Sequence, residues 1–265
     1  MSSHALTDPT PVVELDEVDS TNLEALRRAG AGARGPIWII ADRQTAGRGR
    51  SGRAWISAPG NLAATLLFAP GCAATELHQL SLLAGVAVHD MLAQLRTTAR
   101  HDTGAALRLK WPNDILVGDA KLGGILIESI IVQGTALAAI GIGVNIASSP
   151  AIHGRAIAAT AQWGSTPTPR AMLDALDAQM RHWLGIWRAG AGFAEIIRGW
   201  ETRAGAIGEP IEVNTGTEVL CGAFAGIDET GALLVDSVPT NQGKMLLRFT
   251  FGDVSLLARE DEGSK

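Results

Sequence analysis

Two apolar runs, residues 122–132 and 135–146, are separated only by Gln133 and Gly134. Their β-branched side chains favour extended backbone, and so short a connection leaves room only for a tight turn. The sequence therefore predicts an antiparallel hairpin in the centre of a sheet. Both runs carry glycines where a central strand gains least from them: Gly123 and Gly124 in the first, Gly141 and Gly143 in the second. Glycines on neighbouring strands weaken a sheet, and they leave a slot beside the backbone that admits a flat ligand. Without a ligand, the same residues read as packing glycines or a bulge.

Other segments supply what packs around this hairpin. Residues 11–15 read as a short strand. A helix follows that Asp19 and Ser20 can cap, ending near Arg28 with Leu23 and Leu26 inward. Apolar residues recur at helical spacing from Leu77 to Leu95. Residues 107–110 read as a strand running into Trp111-Pro112-Asn113-Asp114, and Gly118-Asp119 as a hairpin turn. After the loop-like residues 148–168, Thr168 caps a helix with Pro169 at its first position. Its buried stripe is Met172, Leu173, Leu176, Met180, Trp183, Leu184 and Trp187. A second helix runs to about Arg203. From Ala206 onward four or five short strands suggest a small β-barrel, and the last few residues a loose tail. The expected division is 1–203 for a main α+β unit and 206–262 for the barrel.

A third constraint is the stretch Gly47 to Trp55, GRGRSGRAW, held between apolar runs at 36–41 and 61–68. Its glycines free the backbone, and its arginines are planar, permanently charged forks suited to carboxylate and phosphate. The chain carries a net charge of −5, so this is a local positive site on an acidic protein. That balance argues against a protein devoted to nucleic-acid phosphates, as does the absence of tyrosine for base stacking. The rival reading of the loop is an RNA-binding Gly/Arg segment. The two cysteines, Cys72 and Cys221, match no metal or redox spacing, which fits a reducing compartment. With no signal-like start and no unbroken apolar span, the chain is expected to be cytoplasmic, without a membrane partner.

Polar clusters fall at the ends of the predicted elements: Ser20-Thr21-Asn22, Gln44 ahead of the arginine loop, Lys110 to Asp114, Lys121, and Asn145 closing GIGVN. Each has a plain alternative, namely a helix cap, a surface ion pair or a solvated lysine. Lysine, aspartate and lysine nevertheless flank the strands that carry the slot, and the arginine loop can fold over it.

GRGRSGRAW, KWPNDI, KLGGIL and GIGVN, in this order and spacing, resemble the biotin protein ligases over nearly the whole chain. The resemblance implies an α+β fold related to class II aminoacyl-tRNA synthetases, with a mixed, mainly antiparallel sheet and an SH3-like C-terminal barrel. It also implies two reactions, the activation of biotin by ATP to biotinyl-5′-AMP and its transfer to a lysine of a biotin carboxyl carrier protein. Within that likeness, Ser20, Thr21, Asn22 and Gln44 would hold the ureido ring, while Gly49, Gly123, Gly124, Gly141 and Gly143 border the slot. Arg48 and Arg50 would bind the biotin carboxylate and the phosphate. Arg53 would reach other phosphate oxygens and Trp55 would face adenine. Lys121 would bridge carboxylate and α-phosphate. Asp114 would orient or deprotonate the acceptor lysine, and Lys110 and Asn145 would stand on the nucleotide side. Arg48, Lys121 and Asp114 form the expected catalytic set.

None of the six histidines lies in a ligand motif, so Mg²⁺ is expected to arrive with ATP. Bifunctional relatives carry a DNA-binding domain ahead of this region. Here some ten residues precede the first strand, so DNA binding is not expected; a homodimer is compatible. The family's Thr-Ser pair after GIGVN is Thr160-Ala161 in this chain. A lipoate–protein ligase would share the chemistry but lacks this arginine loop.

Overall fold

The computed structural model describes residues 9–101, 104–152, 154–164, 166–237 and 245–257. The expected hairpin is β6 (Ala120–Val132) and β7 (Thr135–Val144), paired antiparallel from Gly123 opposite Val144 to Val132 opposite Thr135. Positive φ at both Gln133 (51°) and Gly134 (78°) makes the tight turn that two residues require. Around it stand β1 (Val12–Val18), β2 (Ile37–Gln44), β3 (Leu62–Phe68), β4 (Leu107–Lys110) and β5 (Asp114–Val117), in the order β1-β2-β3-β7-β6-β5-β4. Only β1 and β2 run parallel. The sheet is thus mixed and mainly antiparallel, as expected.

Helices cover both faces. On one lie α2 (Gln79–Thr97), α3 (Pro169–Trp187) and α4 (Phe193–Glu201), closing the main core around Leu66, Leu83, Ile140, Leu176 and Trp200. Thr168 caps α3 by accepting from the Ala171 amide at 3.1 Å. On the other face α1 (Thr21–Gly30) seals a smaller core of Ala25, Ala29, Ile39, Leu67, Leu137 and Ala139. The fully buried residues of α1 are Thr21, Asn22, Ala25 and Ala29; Leu26 packs half-buried against this core, as expected, and Leu23 is half-buried. Small and short side chains let this helix approach the sheet closely.

The C-terminal strands are β8 (Pro210–Asn214), β9 (Val219–Ile227), β10 (Leu233–Ser237), β11 (Leu246–Phe249) and β12 (Asp253–Leu256). They hydrogen-bond as one antiparallel sheet, β11-β10-β9-β8-β12. Its buried Ile211, Val213, Phe224 and Leu233 join the main core. The expected tail lies outside the described residues. Among the described residues no helix is long and apolar enough to cross a membrane.

Candidate active site

Side chains alternate along a strand, so β7 sends Leu137, Ala139, Gly141 and Gly143 to the α1 face. The first two pack beneath the helix; the last two extend the same face past its N-terminus, where they form a floor. Gly124 lies opposite Gly143 and Leu126 opposite Gly141 on β6, while Ala63 and Thr65 continue the floor on β3. Glycine is required here by close approach. A Cβ at Gly141 would lie 2.2 Å from Asn22 Oδ1, and one at Gly143 2.3 Å from Trp55 Cε2. Gly123 departs from expectation. Adjacent to Gly124, it necessarily faces the other way, and its Cβ would meet Gly143 O, Val144 and Ile115. It belongs to the packing of the opposite face.

The floor opens into a cleft of about 680 Å³. Apart from Gly123, every residue expected at the site lines it, from Ser20 to Asn145. Ser20 sits at the N-cap of α1 without a side-chain capping bond. Thr21 donates to Gln44 Oε1 through its amide (2.9 Å) and its hydroxyl (3.1 Å). Asn22 donates to Leu126 O at 3.3 Å and to Glu128 Oε2 at 2.9 Å, and its Oδ1 accepts from Thr65 at 2.7 Å. This end of the cleft is polar and carries little charge.

The arginine loop forms a small hairpin closed by Trp55 N to Gly47 O (2.9 Å) and Gly49 N to Arg53 O (2.7 Å). Ser51 and Gly52 turn its tip with φ of 54° and 72°. Each arginine has a polar partner, an ion pair for Arg48 and hydrogen bonds for Arg50 and Arg53. Arg48 Nη1 lies 3.2 Å from Glu128 Oε1. Arg50 donates to Asn113 Oδ1 and to Gly252 O, both at 3.3 Å, and Arg53 reaches Asp253 at 2.6 Å. Burial draws the Arg50 pKa below its ordinary value, although a guanidinium stays charged. Anchored inward on carboxylates and carbonyls, the loop is not a free Gly/Arg tail of the RNA-binding kind.

Facing the loop, Asp114 stands between two lysines. Lys110 Nζ is 3.0 Å from Asp114 Oδ2, and Lys121 donates to Oδ1. Burial pushes the Asp114 carboxyl up, but the two ammonium groups outweigh it and hold it below the usual range. Burial likewise draws the Lys121 ammonium down, opposed by Asp114. Lys121 also lies 5.8 Å from the centre of the Trp55 ring, a cation–π distance. Lys110 is further tied to Val254 O at 2.6 Å, so the C-terminal sheet shares in the site. Asn145 donates to Ala158 O at 3.0 Å, while its buried Oδ1 has no partner among the described residues. An amide oxygen in that state costs about 1–3 kcal/mol.

Four contributors were missed in the sequence: Thr65, Asn113, Glu128 and Asp253. Thr65 is the lone polar side chain of a fully buried strand, and Glu128 the lone acid of β6; both signals were present. Asn113 lay within a named motif without a role. Asp253 has no local signal, because only the packing of the C-terminal sheet brings it to Arg53.

A neutral polar slot joined to a strip of cations describes a class of protein, one that brings a small carboxylic acid to a nucleotide. Comparison with known proteins agrees. The model of the biotin/lipoate A/B protein ligase family matches residues 15–145, and that of the biotin protein ligase C-terminal domain matches residues 206–257. The chain is 40% identical over 228 residues to the biotin–[acetyl-CoA-carboxylase] ligase of Paracoccus denitrificans, covering 83% of this chain and 92% of that one. It is 30% identical to the bifunctional ligase/repressor BirA of Escherichia coli K12, covering 96% of this chain and 76% of BirA. Biotin protein ligase from Aquifex aeolicus, solved in complex with biotin and ATP, superposes with a TM-score of 0.75 at 25% identity, over 93% of this chain and 99% of that one. The chain belongs to the biotin protein ligase family.

Proposed function

We infer that this protein is an ATP-dependent biotin–[biotin carboxyl carrier protein] ligase. The observation that carries the reading is the continuity of the cleft, from the neutral slot of Thr21, Asn22 and Gln44 through the cations to Asn145. In the first step a carboxylate oxygen of biotin attacks the α-phosphorus of ATP. The bond to the bridging oxygen breaks, giving biotinyl-5′-AMP and pyrophosphate. In the second, the neutral amine of an acceptor lysine attacks the acyl carbon. AMP leaves with the electron pair of the broken C–O bond, and the amine loses a proton.

Roles follow from placement. Ser20, Thr21, Asn22 and Gln44 offer donors and acceptors to the ureido ring over Gly124, Gly141 and Gly143, with Gly49 at the rim. Arg48, Arg50 and Lys121 draw two mutually repelling anions together and balance the charge that builds on the phosphorus oxygens. Arg53 and Lys110 meet the remaining phosphates; Trp55 and Asn145 flank the base. Held between lysines, Asp114 is a weak base. Its task is to orient the neutral acceptor amine and to stabilise the positive charge that develops on its nitrogen as the acyl bond forms, with the proton then lost to solvent. Of the cleft carboxylates, Asp114 and Asp253 are held by cations, and together with Glu212 they form no group among the described residues that could cage a metal; Mg²⁺ would be carried on the triphosphate.

We further propose that residues 1–203 and 206–262 act as two units, meeting where Lys110, Arg50 and Arg53 contact β12 and the residue before it. The acceptor is a carrier protein, and the working compartment is the cytoplasm. Biotin-dependent exchange of labelled pyrophosphate into ATP tests the reading, with lipoate as control. Exchange with biotin alone, followed by labelling of a biotin carboxyl carrier protein, is the expected result; exchange with lipoate alone would overturn it.

A further inference from the structure

The chain distributes its cations unevenly, with eighteen arginines and only four lysines. Two of the lysines, Lys110 and Lys121, stand on Asp114 inside the cleft. The other two, Lys244 and Lys265, lie outside the described residues. Every other lysine or arginine lining the cleft is an arginine: Arg48, Arg50, Arg53 and Arg155. Arg155 is exposed and follows Gly154 at the rim. Beside it, the Ala156 carbonyl accepts from the Lys121 amide at 2.9 Å, and Ile157 pairs with Lys121 in a parallel bridge. After burial, the charge of Arg155 is among the influences that draw the Lys121 ammonium down, against Asp114. Arg155 therefore stands at the rim beside the group placed between carboxylate and α-phosphate.

Biotinyl-5′-AMP is a mixed anhydride, and any neutral amine beside it is an acceptor. The nitrogen attacks the acyl carbon and the C–O bond to phosphate breaks. AMP leaves with the electron pair, and the nitrogen sheds a proton. An ordinary lysine titrates at about 10.4, so at pH 8 roughly one free lysine in 250 is a neutral amine. A guanidinium keeps its proton, and its nitrogen lone pairs stay delocalised. We propose that Arg155 determines acceptor specificity: it gives the rim a cation that the enzyme's own intermediate cannot acylate, so that activated biotin is kept for the carrier lysine. The inference rests on the assignment of the cleft to biotin and ATP. A lysine at this position would supply the same charge, but it would also compete with the carrier from within the chain, at an effective concentration in the millimolar range or above. Lys110 and Lys121 are spared because Asp114 holds both as ammonium groups.

Arg155→Lys tests this against Arg198→Lys, which changes an exposed arginine of α4 that does not line the cleft. Each full chain is incubated with biotin and ATP at pH 8 without a carrier, and biotinylated peptides are quantified over time by mass spectrometry. Biotin should appear at position 155 of Arg155→Lys at least about tenfold faster than at position 198 of Arg198→Lys. None should appear at Lys110 or Lys121 in the wild type. If Arg155→Lys has lost pyrophosphate exchange, biotinyl-5′-AMP is supplied directly and the same comparison is made. Labelling at position 155 that is absent, or no faster than at position 198, would overturn the proposal. Intact wild-type exchange with equal labelling at the two positions overturns the proposal alone. Absence of biotin-dependent exchange in the wild type overturns the ligase reading, and the proposal with it.

Discussion

Asp90 and Asp114 are both largely buried carboxylates, with side chains 20% and 12% exposed, and both are held by cations. Asp90 meets one arginine. Arg203 grips both oxygens, at 2.7 and 3.0 Å, and Trp183 Nε1 adds a bond of 3.1 Å. The guanidinium lies 5.4 Å from the centre of the Trp183 ring. Asp90 belongs to α2, Trp183 to α3, and Arg203 follows α4, so the cluster clamps three helices. Asp114 meets two lysines, each a single point charge on a flexible stem. Lys121 can turn towards a phosphate and leave Lys110 in place, whereas a forked arginine with its face on an indole has nowhere to turn. The same charge pairing serves structure in one place and chemistry in the other, according to how many partners the cation keeps in reserve.

The sharpest test of that contrast is Lys121→Ala. Removing a donor aimed at developing phosphate charge should slow adenylate formation about 100- to 1000-fold, while the far-UV circular dichroism stays that of the wild type. Exchange within about threefold of wild type would erase the distinction between the clusters.

Asp90→Ala should do the reverse. Stranding Arg203 between helices is expected to cost about 2 kcal/mol of stability, measured by urea unfolding, with exchange kinetics within about twofold of wild type. A third variant divides the half-reactions. Asp114→Asn should slow transfer to the carrier about tenfold more than adenylation in single-turnover experiments, as a positioning carboxylate does. Equal loss in both steps would make Asp114 a nucleotide-side or structural residue.

The smallest effect is one of pH. Burial raises the Asp90 pKa, but hydrogen bonds from His89 and Arg203 outweigh it and hold the carboxyl at about 2, against an ordinary 3.8. A carboxyl depressed on folding contributes stability that is complete above its unfolded pKa and lost as pH falls through the folded one. Wild type should therefore lose about 1 kcal/mol from this group between pH 6 and pH 3. Asp90→Asn should show a shallower slope over that window in urea titrations, and identical slopes would show that Asp90 carries no such linkage.

Much of the fold is legible in the sequence because its signals are local. The two-residue turn at Gln133-Gly134, the cap at Thr168 and the turn after Lys110 each follow from a few adjacent residues. The site is legible where chemistry is concentrated in short runs at strand ends, as in the arginine loop and around Lys121. Where one polar residue stands alone in an apolar strand, its isolation is visible but its partners are not. Thr65 and Glu128 carry no motif, and their meaning comes from what the sheet places beside them.

By itself the sequence determined the central hairpin, the positions where side chains had to be absent, and the stock of cations available to an anion. Alternation even required that Gly123 and Gly124 face apart. Which of the two would face the cleft was decided by tertiary structure, through the packing of α1 on one face and α2 to α4 on the other. Tertiary structure also chose the partners. It set Glu128 on Arg48 and Asn22, placed Asp114 between Lys110 and Lys121, and brought Asp253 to Arg53 from another sheet. The reason is physical: periodicity is written in neighbouring residues, whereas the choice of buried face and of ion partners depends on which distant segments exclude water together.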